Sequence, residues 1–243
     1  MALIICPVCY DSIQVVKNGS CSSGWQKYFC KECEKYSVLN PENGKISDDT
    51  KKLIDDLLLE KIPLAGIVRA AKVSKRWMQY YADDKYENVP RKVIVTDKVK
   101  GRLTVECDEM WSFVDNAKNK LWIWQAEDIK SKEIAGVFAG SRDEVGAQGL
   151  QDSLPGVYRW CAVAYTDFRS SYKAVFPKGR HRAVGKESGM TNSIESFNCT
   201  LRQRISRLVR KTLSFSKKLA NHIGAIWYFI HHYNASLAWK YGD

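Results

Sequence analysis

Apolar side chains recur along this chain in distinct rhythms, each predicting a different kind of element. From Ser47 to about Asp84 the spacing is helical. Leu53, Ile54, Leu57 and Leu58 mark a first helix that Ser47 or Asp48 can cap. Pro63 stands at a first-turn position for a second, Leu64 to Ala71, and Ser74 caps a third, Lys75 to about Asp83, carrying Trp77, Met78, Tyr80 and Tyr81. Beyond Arg102 the runs are short and strand-like: Leu103–Asp108, Leu121–Ala126 and Glu133–Phe138. Turn formers at Asp115-Asn116 and Lys130-Ser131 separate them, which predicts a meander. Arg142 to Leu154 then fits a helix, Arg159–Asp167 a buried strand, and Asn192 opens a long helix. Along that helix Ile194, Phe197, Leu201, Ile205 and Leu208 form an apolar stripe, with Glu195, Asn198 and Arg202 on the other side.

The first forty residues follow neither rhythm and are organised by cysteine. Cys6 and Cys9 form one C-x2-C pair, Cys30 and Cys33 a second, twenty residues apart. Two residues between thiolates let a tight turn aim both sulfurs at one tetrahedral Zn2+, and Trp25–Phe29 reads as a short strand feeding the second knuckle. A unit of about 35 residues has too little core to fold without such a metal. Two disulfides are the alternative. Cys21, Cys107, Cys161 and Cys199 lack partners at ligand spacing and are expected to be buried thiols. Turn formers at Leu39–Gly44 and a charged connector at Val89–Lys100 divide the chain into a zinc ribbon (1–40), a helical unit (46–88) and a mixed α/β unit (100–243).

The composition narrows the function. With 243 residues, 45% apolar and 12% aromatic, the chain can bury a core, which excludes disorder. A formal net charge of +11 favours a polyanionic partner, nucleic acid first. The N-terminal Met-Ala-Leu-Ile-Ile leads straight into the cysteines and does not read as a signal peptide, so a cytoplasmic, nucleoid-associated protein is expected. Leu219–Trp239 is free of formal charge over 21 residues, yet Asn221, His222, His231, His232 and Asn234 suit a partly buried helix, not a membrane span. In the helical unit, two short helices joined by Lys72-Val73-Ser74 have helix-turn-helix proportions. Lys75, Arg76 and Gln79 would then face the DNA major groove; a plain helical hairpin is the alternative.

Three strands, a helix, a strand and a terminal helix is the order of an RNase H-like domain, and three acids fall where that fold would gather them. Asp108 lies in the first strand, Asp167 at the end of the fourth, and Glu195 in the first turn of the long helix. An acid at the end of an apolar run is costly unless it binds something, and hard carboxylate oxygens hold Mg2+ or Mn2+. Two such ions can activate a water or a 3'-hydroxyl for in-line attack on a phosphodiester. Each acid also has a structural reading: Asp108 or its neighbour Glu109 on a solvated edge, Asp167 opening a turn, Glu195 completing a capping box with Asn192. Between Lys178 and Lys218 stand eleven Lys and Arg against two acids. Arg202, Arg204, Arg207, Arg210 and Lys211 follow the acid-bearing helix, where phosphates would be held.

These residues resemble the DDE transposases of the bacterial insertion sequence one family. The likeness rests on Cys6-Pro-Val-Cys9 and Cys30-Lys-Glu-Cys33, Asp108-Glu-Met-Trp111, Thr166-Asp167, Ile194-Glu195-Ser-Phe-Asn198, Leu201-Arg202-Gln203-Arg204 and Arg207–Lys217, with His222 and His232-Tyr233 in register. It departs at Phe168-Arg169 and at Ser196-Phe197. The resemblance implies a zinc finger and helix-turn-helix that bind terminal inverted repeats of double-stranded DNA. It further implies an RNase H-like domain with Asp108, Asp167, Glu195 and the basic Arg202 that cuts DNA and joins a 3'-hydroxyl to target DNA. Joining two ends requires at least a homodimer. A repressor built on the same DNA-binding units, or a nuclease that cuts without joining, are the alternatives.

Overall fold

The computed structural model describes residues 4–21, 24–38, 46–98, 101, 103–208 and 216–241, and of 238–241 the backbone alone. The expected linker at 39–44 lies outside these residues. The chain forms two compact units, Met1–Lys51 and Lys52–Asp243. In the first, β1 (Val15–Ser20), β2 (Gln26–Cys30) and β3 (Lys35–Val38) make an antiparallel sheet in that order. The strand expected at Trp25–Phe29 is β2, one residue further on. Among the described residues of this unit, Cys6, Tyr28 and Cys30 are the buried hydrophobics. So small an apolar interior leaves the cysteine cluster as the main tie.

The helical segment forms as its pattern predicts: α1 (Asp48–Leu58), α2 (Leu64–Ala71) and α3 (Lys75–Asn88). Ser74 caps α3 by accepting from the Trp77 N–H at 3.1 Å. Lys72 adopts a left-handed conformation that ends α2.

The larger sheet is built from β4 (Leu103–Phe113), β5 (Lys120–Asp128), β6 (Ile134–Gly140), β7 (Ala162–Thr166) and β8 (His181–Ala183). Its order is β6-β5-β4-β7-β8. The first three strands are the expected antiparallel meander, and β4–β7 and β7–β8 are parallel. The helices are α4 (Glu144–Ser153), α5 (Gly156–Cys161), α6 (Ser170–Val175), α7 (Asn192–Arg204) and α8 (Leu219–Tyr241). Two expectations are corrected. Arg159–Cys161 is not strand: Pro155 opens α5 there, and the buried strand starts only at Ala162. The long helix from Asn192 ends at Arg204, and a short 3-10 turn follows at Ser206–Leu208. The three-residue β8 carries too short a pattern to be read from sequence.

One face of the sheet packs Val105, Cys107, Trp124 and Ala126 against Ala147 and Leu150 of α4 and Tyr172 of α6. On the other lie α7 and α8. Asn221, His222, His231 and Asn234 of α8 all meet protein partners, which lets this helix bury polar groups without charge. The Asn234 amide donates to the Ile134 carbonyl and accepts from its N–H, standing in for the missing neighbour of edge strand β6. The fully buried His222 imidazole bridges Ser112 of β4 at 2.9 Å and Ser216 at 3.1 Å. Asn221 donates to Asp83 of α3 and His231 bonds the Pro90 carbonyl. Among the described residues no helix is long and apolar enough to cross a membrane.

Helices α3 and α8 meet closely at Gly224, where an added Cβ would stand 2.6 Å from the Tyr86 carbonyl oxygen. Gly224→Ala is therefore expected to push the helices apart and destabilise the larger unit by about 1–3 kcal/mol, read from its urea midpoint. Burial, helped by the nearby Arg207 charge, holds the His222 imidazole down at about 4. Its folded value lies below the ordinary one, so this stability term is whole above about pH 6.5 and is lost as pH falls toward about 4, by up to about 3 kcal/mol. Urea unfolding of His222→Gln should show a correspondingly shallower acid limb; an unchanged limb would contradict the assignment.

Candidate active site

The site grows out of β4, whose pleat sends alternate side chains to opposite faces. Glu106 and Asp108 point toward α7, and Glu109 points the other way, toward α4 and α6. Each would be costly to bury unpaired, and each has its own partners. Glu106, only 4% exposed, accepts from the N–H groups of Ser193 at 3.0 Å and Ile194 at 3.1 Å, so it caps the first turn of α7 from across the sheet. That turn carries Glu195. The capping-box reading of Glu195 is displaced separately: the Asn192 N–H donates to the Gly189 carbonyl at 3.3 Å and the Glu195 N–H to the Thr191 carbonyl at 3.1 Å, so both N–H groups of such a box have backbone partners.

One turn further along α7, Asn198 donates to Asp108 Oδ2 at 2.7 Å. The Asn198 carbonyl oxygen in turn accepts from Gln125 of β5 at 2.6 Å. This relay orients the Asn198 amide and leaves Oδ1 as the Asp108 oxygen outside it. Asp167 follows directly on β7, the parallel neighbour of β4. Its Oδ1 accepts the Arg169 N–H at 3.1 Å, so it does open a turn, as its structural reading has it, and it also lines the site.

Asp108, Asp167 and Glu195 line one cleft of about 330 Å3, together with Arg142, Lys186 and Arg202. Burial first, then the charges of Glu109, Glu195 and Asp167, raise the Asp108 carboxyl to about 6, against a backbone hydrogen bond from Glu109 that lowers it. Carboxylates that resist ionising together are a set of hard oxygens suited to a divalent cation. The acids share the cleft without closing as tightly as the cysteines do. On α7 the stripe Ile194, Phe197, Leu201, Ile205 and Leu208 is buried as expected, while Glu195, Asn198 and Arg202 face the cleft.

In the smaller unit the ligand atoms of Cys6, Cys9, Cys30 and Cys33 lie within 4.8 Å of one another and could hold a zinc ion. Cys6 Sγ to Cys33 Sγ is 3.6 Å and Cys9 Sγ to Cys30 Sγ is 3.5 Å. Those separations are far from a disulfide bond of about 2.05 Å and close to the spacing of about 3.8 Å around tetrahedral Zn2+. Backbone N–H groups of Cys9 and Val8 lower the Cys6 thiol, whereas burial and the neighbouring sulfurs raise Cys9 and Cys33, so these thiols resist ionising together without a cation. The other four cysteines are mixed. Cys107 is buried as expected, whereas Cys21 and Cys161 are half-buried and Cys199 is exposed.

The basic residues divide. Lys75, Arg76 and Gln79 are exposed on α3, with Arg76 lying over the Tyr80 ring and Gln79 donating to Asp83. Arg204 pairs with Glu60 at 2.7 Å and donates to the Leu59 carbonyl, and Arg207 lies over Tyr86 and donates to Ser216, so both tie parts of the protein together. Arg210 and Lys211 lie outside the described residues. Sequence reasoning missed Glu106, Gln125, Glu109 and Arg142. The one signal in the chain was three acids within four residues of an apolar strand, since burial on both faces of a sheet forces each to find a partner.

The comparisons with known proteins address the same region. A family model described as IS1 transposase matches residues 101–234. The insertion element iso-IS1n protein InsB of Shigella dysenteriae is 34% identical over 128 residues, covering 53% of this chain and 94% of that protein. The insertion element IS1 4 protein InsB of Escherichia coli (strain K12) is 30% identical over 127 residues, covering 51% of this chain and 72% of its own length. For the insertion element IS1 protein InsB of Shigella sonnei the identity is again 30% over 127 residues, with 51% and 92% covered. The cleft residues Asp108, Asp167, Glu195 and Arg202 fall within the matched span, and the chain belongs to the IS1 transposase family.

Proposed function

We propose that this chain is a DDE-type DNA transposase with a zinc ribbon over 1–40, a helix-turn-helix over 46–88 and an RNase H-like catalytic domain over 100–243. The observation that carries the reading is the meeting in one cleft of Asp108 on β4, Asp167 just past the end of its parallel neighbour β7, and Glu195 on α7, which packs on β4 and β5. Asp108, Asp167 and Glu195 would hold Mg2+ or Mn2+. When bound, such ions lower the pKa of an attacking water or 3'-hydroxyl and stabilise the leaving oxygen at phosphorus. Glu106 fixes the helix that presents Glu195, and Asn198 fixes one oxygen of Asp108, so the ligand set is positioned before DNA arrives. Arg202 lines the same cleft and would offer its charge to a phosphate. The exposed Lys75, Arg76 and Gln79 of α3 would read the terminal inverted repeat in the major groove, and the ribbon would add backbone contacts. Arg204, Arg207, Arg210 and Lys211, close together in sequence, would add further contacts to phosphate. Bringing two element ends to one target calls for a homodimer or larger assembly on the nucleoid.

Purified full chain, Mg2+ and a labelled duplex carrying the terminal repeat are expected to yield joined strands. Glu195→Gln should lower their formation by roughly 100-fold or more, in line with loss of a metal ligand. Cleavage without joining would replace this reading by a nuclease, and binding without either, indifferent to the mutation, by a repressor. The ribbon makes a separate prediction: elemental analysis should find about one zinc per chain. Cys30→Ser should lose the zinc and weaken repeat binding roughly tenfold or more by unfolding residues 1–51.

A further inference from the structure

We infer that Arg142 is a preset contact for a DNA backbone phosphate, held in place by the buried carboxylate of Glu109. The inference rests on the reading of the cleft as a phosphodiester site and adds a contact on the side of β4 away from α7. The Glu109 side chain is 1% exposed. Its Oε1 accepts from Arg142 Nε at 3.1 Å and Nη2 at 2.9 Å, and Arg169 Nε lies 2.7 Å from the same oxygen. The Tyr172 hydroxyl donates to Oε2 at 3.1 Å. One carboxylate thus faces two guanidinium groups, and the three side chains carry one net positive charge.

Neutralising a buried Glu takes only one cation, and two stand here: Arg142, hydrogen-bonded to Glu109, and Arg169, whose buried Nε lies near the same oxygen without a hydrogen bond. Of the two, Arg142 is the more exposed, 40% against 25%. The cluster therefore presents its surplus charge through Arg142, which lines the cleft beside Asp108, Asp167 and Glu195. Its guanidinium is fixed in plane: the Trp122 ring lies 3.7 Å beneath it, and Nε and Nη2 are committed to Glu109. Among the described residues the Nη1 end has no hydrogen-bond partner, which leaves it for an acceptor from outside. An arginine already ordered by stacking and a two-point ion pair loses little conformational freedom when a phosphate docks, which is how it would fix the strand beside the three acids. The acids repel a polyanion unless cations flank them, and Arg142 is a cation whose position the fold sets from two sides.

Duplex carrying the terminal repeat, with a neutral methylphosphonate placed singly at each backbone position around the cleavage point, tests the contact. Binding is read by fluorescence anisotropy of the full chain in Ca2+. Wild type should lose roughly tenfold in affinity at one position, the worth of a charge-assisted contact. Arg142→Ala should lose the same on unmodified DNA, become indifferent to that methylphosphonate, and flatten the slope of log affinity against log salt by about 0.9. Arg142→Lys, which keeps the charge without the stacked fork, should retain the slope and blunt the position-specific loss. Glu109→Gln keeps both cations, so its slope should stay while the loss spreads over neighbouring positions. A folded Arg142→Ala with the wild-type slope and methylphosphonate profile overturns the inference, even if the protein joins strands normally. An Arg142-dependent phosphate in a protein that neither cuts nor joins would instead uphold this contact and remove the transposase reading.

Discussion

Burial of negative charge in β4 is the constraint around which the larger unit is arranged. Within four residues this central strand places Glu106, Asp108 and Glu109 between packed layers, where a carboxylate without partners is strongly disfavoured. The three are answered in three ways: Glu106 by the N-terminus of α7, Glu109 by two arginines and a tyrosine, and Asp108 by the Asn198 amide and a backbone N–H, with no cation paired to it among the described residues. Only Asp108 is left wanting, and its raised proton affinity is the physical record of that.

The division of partners separates structure from chemistry inside one strand. Residues that complete the charge of Glu106 and Glu109 also hold functional groups in place, α7 with Glu195 on one side and Arg142 on the other. Two other buried acids, Asp128 and Glu133, show the contrasting case, whereas Glu127 of β5 keeps one buried oxygen without a hydrogen-bond partner among the described residues. Asp128 accepts two turn N–H groups and the Tyr158 hydroxyl, and Glu133 takes Thr96 and Lys98. Both acids are answered within loops and turns, neither lines the cleft, and neither needs a ligand.

The helical segment and the cleft belong to one compact unit. Helix α3 lies on α8 with Tyr86 against Gly224 and Tyr228, Asn221 bonds Asp83, and Arg204 at the end of α7 grips Glu60 and the Leu59 carbonyl. The surface carrying Lys75, Arg76 and Gln79 is thus tied to the helix carrying Glu195 by packing and ion pairs. A DNA segment held on α3 would meet the cleft at a set distance.

By itself the sequence determined the local features: the cysteine pairs, the helices from Asp48 to Asn88, the meander, and the stripe that seats α7. These follow from short-range spacing, which the chain displays directly. It also marked Asp108 and Asp167, as acids at the ends of apolar runs, and Glu195, by its place in the first turn of the helix that bears the apolar stripe. Helix α5, strand β8 and the end of α7 were decided by tertiary structure, since a three-residue strand or a six-residue helix is stable only against what it packs on. The roles of Glu106, Glu109, Asn198 and Arg142 were decided there too. Their partners lie from 33 to 90 residues away in the chain, and no periodicity encodes which carboxylate will meet a helix end and which an arginine.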